Sequence, residues 1–311
     1  LVSLHLAALW IIFTLHVGDV PSPDAAKLTA ISYVRQVFLV QLWFEPFFDG
    51  TSWDGPAWSI SAEWLAYLLF GALVLVIFRM TRVTRARGLL MLAFVASLPP
   101  TILLLGSGVF YTPWSWLPRI VAQFLAGALA CAAVRRLRLT DRGQRLAGLV
   151  AVALTVTVVA LLYHFDAHPV AGMVDPGGLV DVLFMPLVVT LAIGVGSLPA
   201  LLSTRLLVYG GQISFSVYMV HEMIHTAWSW CVQQYHLELP KSVQKLVFVA
   251  LIVAVLLGAM ALYHWVEEPA RRWMRRMVDY RDVRTDDRAG APPSRLQSID
   301  DAREARSARA V

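Results

Sequence analysis

The chain alternates long apolar runs with short stretches of charge, proline and glycine, and apolar runs of this length predict membrane-spanning helices. Eight spans are expected near residues 1–17, 57–78, 88–108, 118–134, 146–163, 179–197, 213–232 and 243–264. The long connection at 18–56 contains a further apolar stretch, Leu28 to Phe44. Lys27, Arg35 and Glu45 interrupt or bound it, so it reads as an interfacial or re-entrant helix rather than a ninth span. The fold class is therefore all-α, a polytopic transmembrane helical bundle. Composition agrees: 58% of the 311 residues are hydrophobic and 15% charged, with a mean hydropathy of +0.63, which excludes one span attached to a soluble domain.

A net charge of +5 would suggest nucleic acid in a soluble protein. Here the basic residues are first a topology signal. With eight spans, 15 Lys/Arg fall on one side and 5 on the other, the other 6 lying after residue 281. The first side is expected to be cytoplasmic, with both ends of this chain facing it, in a cell (inner or plasma) membrane; nucleic acid has no place in the account. Residues 1–281 form the expected membrane domain, and 282–311, without aromatics, the expected disordered cytoplasmic tail. Cys131 and Cys231 each lie in apolar sequence and suggest no disulfide framework. His164, Asp166, His168 and Asp175 match no zinc spacing and read as solvated loop residues; no metal site is expected.

An ionisable group in hydrocarbon costs roughly 2.5–3.5 kcal/mol on insertion scales, so each one needs a reason. In Pro56-Ala57-Trp58-Ser59-Ile60-Ser61-Ala62-Glu63-Trp64-Leu65-Ala66-Tyr67, the polar residues Ser59, Glu63 and Tyr67 recur every four positions and share one helix face. That face is expected to point into the bundle, with a buried Glu63 suited to proton transfer or acceptor binding. In the helix after Gly210-Gly211, Ser214, Tyr218, His221 and His225 form a second polar stripe with Glu222 beside it. His225 and Glu63 are expected at similar depth. Asp181 reads as a helix N-terminal carboxylate and Arg119 as a helix-end charge. The sequence Trp265-Val266-Glu267-Glu268-Pro269-Ala270-Arg271-Arg272 switches from acidic to basic at the cytoplasmic interface. A proton-coupled transporter or flippase with Glu63 and His225 as relay groups is the rival class, and an inactive membrane scaffold the third.

Three stretches resemble the acyltransferase 3 family of integral membrane O-acyltransferases. Pro56-Ala57-Trp58-Ser59-Ile60-Ser61-Ala62-Glu63 is similar to its P-x-W-S-[LI]-S-x-E signature. Gly211 to His221 resembles its late G-x-x-S-Y-x-[IL]-Y-x-x-H helix, and Glu268-Pro269-Ala270-Arg271 its closing E-x-P-x-R element. The resemblance implies ten spans and transfer of an acyl group, commonly acetyl from acetyl-coenzyme A, to a hydroxyl of a carbohydrate, lipid-linked glycan or other exported molecule. The family's first helix carries an Arg-Gly pair and a His regarded as catalytic. This sequence has neither, and two helices ahead of Leu1 would bring eight spans to ten without changing the parity, which implies a fragment.

On that resemblance the expected catalytic residues are Glu63, His221 and Tyr218, with Trp58, Ser59, Tyr67, Ser214 and His225 around the acceptor. Arg79, Arg82, Arg85, Arg135 and Arg136, all on the expected cytoplasmic side, are placed to meet the phosphates of acyl-coenzyme A. The coenzyme is a co-substrate and no permanently bound cofactor is expected. The partners are the bilayer, the carbohydrate or lipid-linked acceptor and the acyl donor.

Overall fold

The structure, a computed structural model, describes residues 9–10, 28–47 and 53–277. Apart from residues 9–10, the first expected span lies outside them, as does the expected tail. All described secondary structure is helical: α1 (Ala30–Val37), α2 (Ala57–Val83), α3 (Ala86–Ala96), α4 (Pro99–Ser107), α5 (Trp116–Val134), α6 (Asp141–Ala167), α7 (Asp181–Ile193), α8 (Ser197–Leu202), α9 (Arg205–Gln234) and α10 (Lys241–Leu262). A 3₁₀ turn, Pro176–Val180, leads into α7, and a π-helical turn, Tyr263–Glu267, extends α10.

Six helices among the described residues are long and apolar enough to cross a membrane, and only 11–28% of their most apolar windows is buried. Most of their large side chains face outward, the arrangement that hydrocarbon rather than water stabilises. These six correspond to six of the expected spans. Ala86–Ser107 forms one of them, divided at residues 97–98 because Pro99 and Pro100 lack the N–H groups an unbroken helix needs. The expected span at 213–232 lies on α9, which is long enough but more polar than the six. It starts at Arg205, earlier than expected, and Gly210 and Gly211 lie inside it rather than before it. The expected span at 179–197 ends sooner, at Ile193.

α3 packs along α5, α2 also against α5, α7 against both α5 and α6, and α9 against α10. One apolar core, Ile77, Leu89, Ala93, Leu129, Ala133 and Val189, joins α2, α3, α5 and α7. Leu42, Ala62 and Trp116 form another at the opposite end of α2. The π turn carries Glu267 to α9, where it accepts a 2.7 Å hydrogen bond from the buried Ser216 and pairs with Arg271. Glu268 pairs with Arg272 at 2.8 Å. The acidic-to-basic switch thus fastens α10 to α9, and Glu267, just outside the four-residue element, makes the interhelical bond.

The connection before α2 is a docked element. α1, eight residues long, covers about 12 Å at 1.5 Å per residue and is too short to span a bilayer. Its buried Gln36 donates to the Asp54 carbonyl at 2.6 Å and accepts from the Asp54 N–H at 3.3 Å. The Leu42 N–H donates to Ser61 Oγ, and the Trp43 indole donates to the Ser61 carbonyl. The Trp116 indole donates to the Glu45 carbonyl. Ser61 of the first motif therefore anchors this loop.

Candidate active site

Helical periodicity divides the first motif between two tasks. Ala57, Ser61, Ala62 and Ala66 are buried against the docked loop and α5. Ser59, Glu63 and Tyr67 lie on the adjoining face, where the Tyr67 hydroxyl donates to Glu63 Oε2 at 3.2 Å. The expectation of a buried Glu63 is corrected: Glu63 and Tyr67 are both exposed. Ser59 and Glu63 line a cavity, while the Tyr67 ring meets Phe124 of α5 edge-on at 5.9 Å; the small residues on the next face take up the close packing.

That cavity, of about 200 Å³, is walled by Trp58, Ser59, Ala62 and Glu63 from α2, Tyr111 from the loop, and Trp116, Arg119, Ile120 and Gln123 from α5. Arg119 is held from behind. Nη1 donates to the Phe110 carbonyl at 2.7 Å, and the guanidinium lies 3.5 Å from the Phe110 ring centre and 4.5 Å from that of Tyr111. The Phe110 N–H donates to Asp175 at 3.2 Å, so Asp175, expected to be merely solvated, fixes this loop. His164 and Asp166, also assigned to the loop, belong to α6, and the His164 and His168 rings stack at 4.6 Å. Gly108 makes the loop possible: its φ is +70°, and a Cβ there would collide with the Gly172 carbonyl. Gln123 Nε2 donates to both Asp181 oxygens, at 3.0 and 3.2 Å, leaving its carbonyl oxygen as an acceptor.

The second motif helix comes up against the residues that lead into the first. Tyr218 of α9 lies near Ser59, with Glu222, Glu63 and Asp54 in the same neighbourhood. A methyl group on Gly55 would occupy the space of the Glu222 carboxylate, so glycine at 55 permits this approach. His221 Nδ1 lies 2.6 Å from the Tyr218 carbonyl. A carbonyl can only accept, so Nδ1 carries a proton in this contact. Ser214 does not join the cluster: it is exposed and its hydroxyl donates to the Gly211 carbonyl of its own helix at 2.8 Å. His225 is also exposed, one turn beyond His221.

The five expected donor arginines divide differently. Arg79 and Arg82 end α2 and Arg85 precedes α3, all exposed. They lie 16 or more positions beyond Glu63, about 24 Å at 1.5 Å per residue. Arg136 donates to the Thr81 carbonyl, tying the end of α5 to that of α2. Arg135 borders a separate groove between α5 and α7. Among the described residues no group of three His, Cys, Asp or Glu is placed to hold a metal ion.

Arg119, Gln123 and Asp181 escaped the sequence-based set of site residues. The available signal was the one applied to Glu63, a charged group inside an apolar helix. It was set aside because Arg119 and Asp181 each lie near a helix end.

Residues 4–264 match the family model described as an acyltransferase domain, acyltransferase 3. The chain belongs to the acyltransferase 3 family. It is a membrane acyltransferase, and the match takes in the first two motif stretches and ends before Glu268. No curated protein and no solved structure matches it. In this acyltransferase the family signature places Trp58, Ser59 and Glu63 on the cavity wall and Ser61 on the docked loop.

Proposed function

We propose that this acyltransferase transfers an acyl group, acetyl as the simplest case, from acyl-coenzyme A to a hydroxyl of a carbohydrate or glycolipid. The observation that carries the reading is the cavity between α2, which bears the first motif, and α5. It presents a carboxylate, a guanidinium and an amide between the indoles of Trp58 and Trp116. Aromatic faces suit the apolar faces of a sugar ring, and the polar groups suit its hydroxyls.

In the proposed reaction Glu63 receives the proton of the acceptor hydroxyl as its oxygen attacks the thioester carbon. A C–O bond forms, the C–S bond breaks, and the proton passes to the departing thiolate, which leaves as coenzyme A. Arg119 supplies positive charge to the oxyanion that develops on the carbonyl oxygen. Tyr67, donating to Glu63, orients the carboxylate, and Tyr218, near Ser59, flanks the cavity. The donor's phosphates approach the arginine-rich end of the bundle, Arg79, Arg82, Arg85 and Arg135. That end faces the cytoplasm of a cell-membrane protein, as the asymmetry of basic residues indicates. Residues 1–281 act as the membrane domain on this reading, with 282–311 as a cytoplasmic tail.

The test uses membranes containing the full chain, radiolabelled acetyl-coenzyme A and a panel of carbohydrate and lipid-linked acceptors. Label is expected on the acceptor, and Glu63→Gln should reduce transfer by roughly 10²–10⁴-fold, the usual contribution of a positioned base, without loss of folded protein. If label stays on the coenzyme while acceptor crosses the bilayer, the protein is a transporter and the proposal fails.

A further inference from the structure

A second cavity, about 650 Å³ in volume, runs between α5 and α7. On α5 its wall carries Gln123, Gly127, Cys131 and Arg135 at four-residue intervals, with Ala126, Ala130 and Val134 beside them, so it follows one helix face for about 18 Å at 1.5 Å per residue. Asp181 and Gln123 mark one end and Arg135 the other, and the wall between them is mostly apolar. Gln123 also borders the Glu63 cavity, so the two spaces adjoin at that residue. The other end lies beside Arg136, which reaches the end of α2 and its arginines.

We propose that this groove holds the acyl-pantetheine arm of the coenzyme A donor, with the phosphates beside Arg135 and the thioester beside Gln123. The assignment rests on the acyl-coenzyme A reading above and deepens it by giving the donor a path. The charge pattern favours this occupant: a polyanion fits the cationic end, and an amide N–H of the arm fits the Gln123 carbonyl oxygen left free next to the acceptor cavity. The arm has about 13 bonds between its phosphate and its thioester carbon, roughly 15 Å at the ~1.2 Å per bond of an extended chain, which fits the groove. A bilayer phospholipid with its phosphate at Arg135 would press methyl ends against this end and offer no donor to the free Gln123 oxygen.

The structure also supplies a substitution that probes the groove without disturbing the protein. Nothing lies within 4 Å of the position a Cβ would take at Gly127, so Gly127→Leu extends into the groove rather than into a neighbouring helix. Gly71, on α2 outside both cavities, is equally open and Gly71→Leu is its control. Binding of radiolabelled acetyl-coenzyme A to the detergent-solubilised full chain needs no acceptor. Gly127→Leu should weaken it by roughly tenfold or more, as steric filling of occupied space does, and Gly71→Leu should leave it unchanged. With Cys231→Ser, Cys131 is the one remaining thiol of the two in the chain, and acetyl-coenzyme A should protect it from N-ethylmaleimide.

If the wild type binds acetyl-coenzyme A and Gly127→Leu binds it equally well, the groove is not the donor path, although the acyltransferase reading stands. If the wild type does not bind it at all, the donor reading and the groove assignment fall together. Labelling of Cys131 that is suppressed by phospholipid and indifferent to acetyl-coenzyme A makes the groove a lipid site and overturns the proposal. The binding comparison decides the matter if the thiol proves unreactive.

Discussion

Replacing Gln36 with leucine tests whether the docked loop holds the active site in place. Gln36 is 1% exposed, and its amide clamps both backbone groups of Asp54, at 2.6 and 3.3 Å. Leucine has similar volume but restores neither bond. A buried backbone group that loses its partner costs about 1–3 kcal/mol, and the longer of the two bonds contributes at the low end, so the expected loss is about 2–4 kcal/mol. At about 2.1 cal/mol/K of unfolding entropy per residue, a chain of 311 residues shifts by about 1.5 °C per kcal/mol, and the midpoint should fall by about 3–6 °C. Asp54 and Gly55 lead directly into the helix carrying Glu63, and Gly55 touches Glu222. Acyl transfer should therefore fall as well, even well below the new midpoint. Thermal unfolding of detergent-solubilised protein, followed by intrinsic fluorescence, measures the first effect, and labelled acetyl transfer the second. Ile31→Ala on the same short helix is the control, since Ile31 is 69% exposed and should change stability by less than about 0.5 kcal/mol. An unchanged midpoint and unchanged transfer for Gln36→Leu would refute the clamp as the element that positions the motif.

Two further substitutions separate chemistry from scaffold. Tyr67→Phe removes the 3.2 Å bond to Glu63, and because both residues are exposed the net loss is about 0.5–1.5 kcal/mol. Initial-rate measurements should show transfer falling by roughly 2- to 12-fold at that energy, far less than for Glu63→Gln. Gly108→Ala imposes a positive φ on a side-chain residue and a collision with the Gly172 carbonyl. It should lower stability by about 1–3 kcal/mol from the backbone alone, and it should weaken transfer through the Phe110 carbonyl that holds Arg119.

The helices and the contents of each face were legible in the sequence, because both follow from local periodicity. The four-residue repeat of Ser59, Glu63 and Tyr67 predicted a shared polar face, and Glu63 and Tyr67 are indeed bonded to each other. What that face meets was not legible. Glu63 borders a cavity whose opposite wall, Arg119 and Gln123, comes from a helix about 60 positions away in sequence. Tyr218 reaches Ser59 from a helix still farther along. The donor arginines looked equivalent by charge, yet Arg136 is bonded to the Thr81 carbonyl while Arg135 borders the groove.

The division has a physical cause. In water, burial of apolar surface tells a reader which face of a helix turns inward. In hydrocarbon, lipid tails are as apolar as leucine, so that signal is lost and helices associate through close packing of small residues and scattered polar bonds. The sequence by itself determined that this chain is a bundle of membrane helices bearing two polar motifs. Only the tertiary structure decided that Glu222 of the second motif helix lies against Gly55, that Ser61 and Ser216 hold the scaffold together, and that Arg119 and Gln123 wall the candidate site.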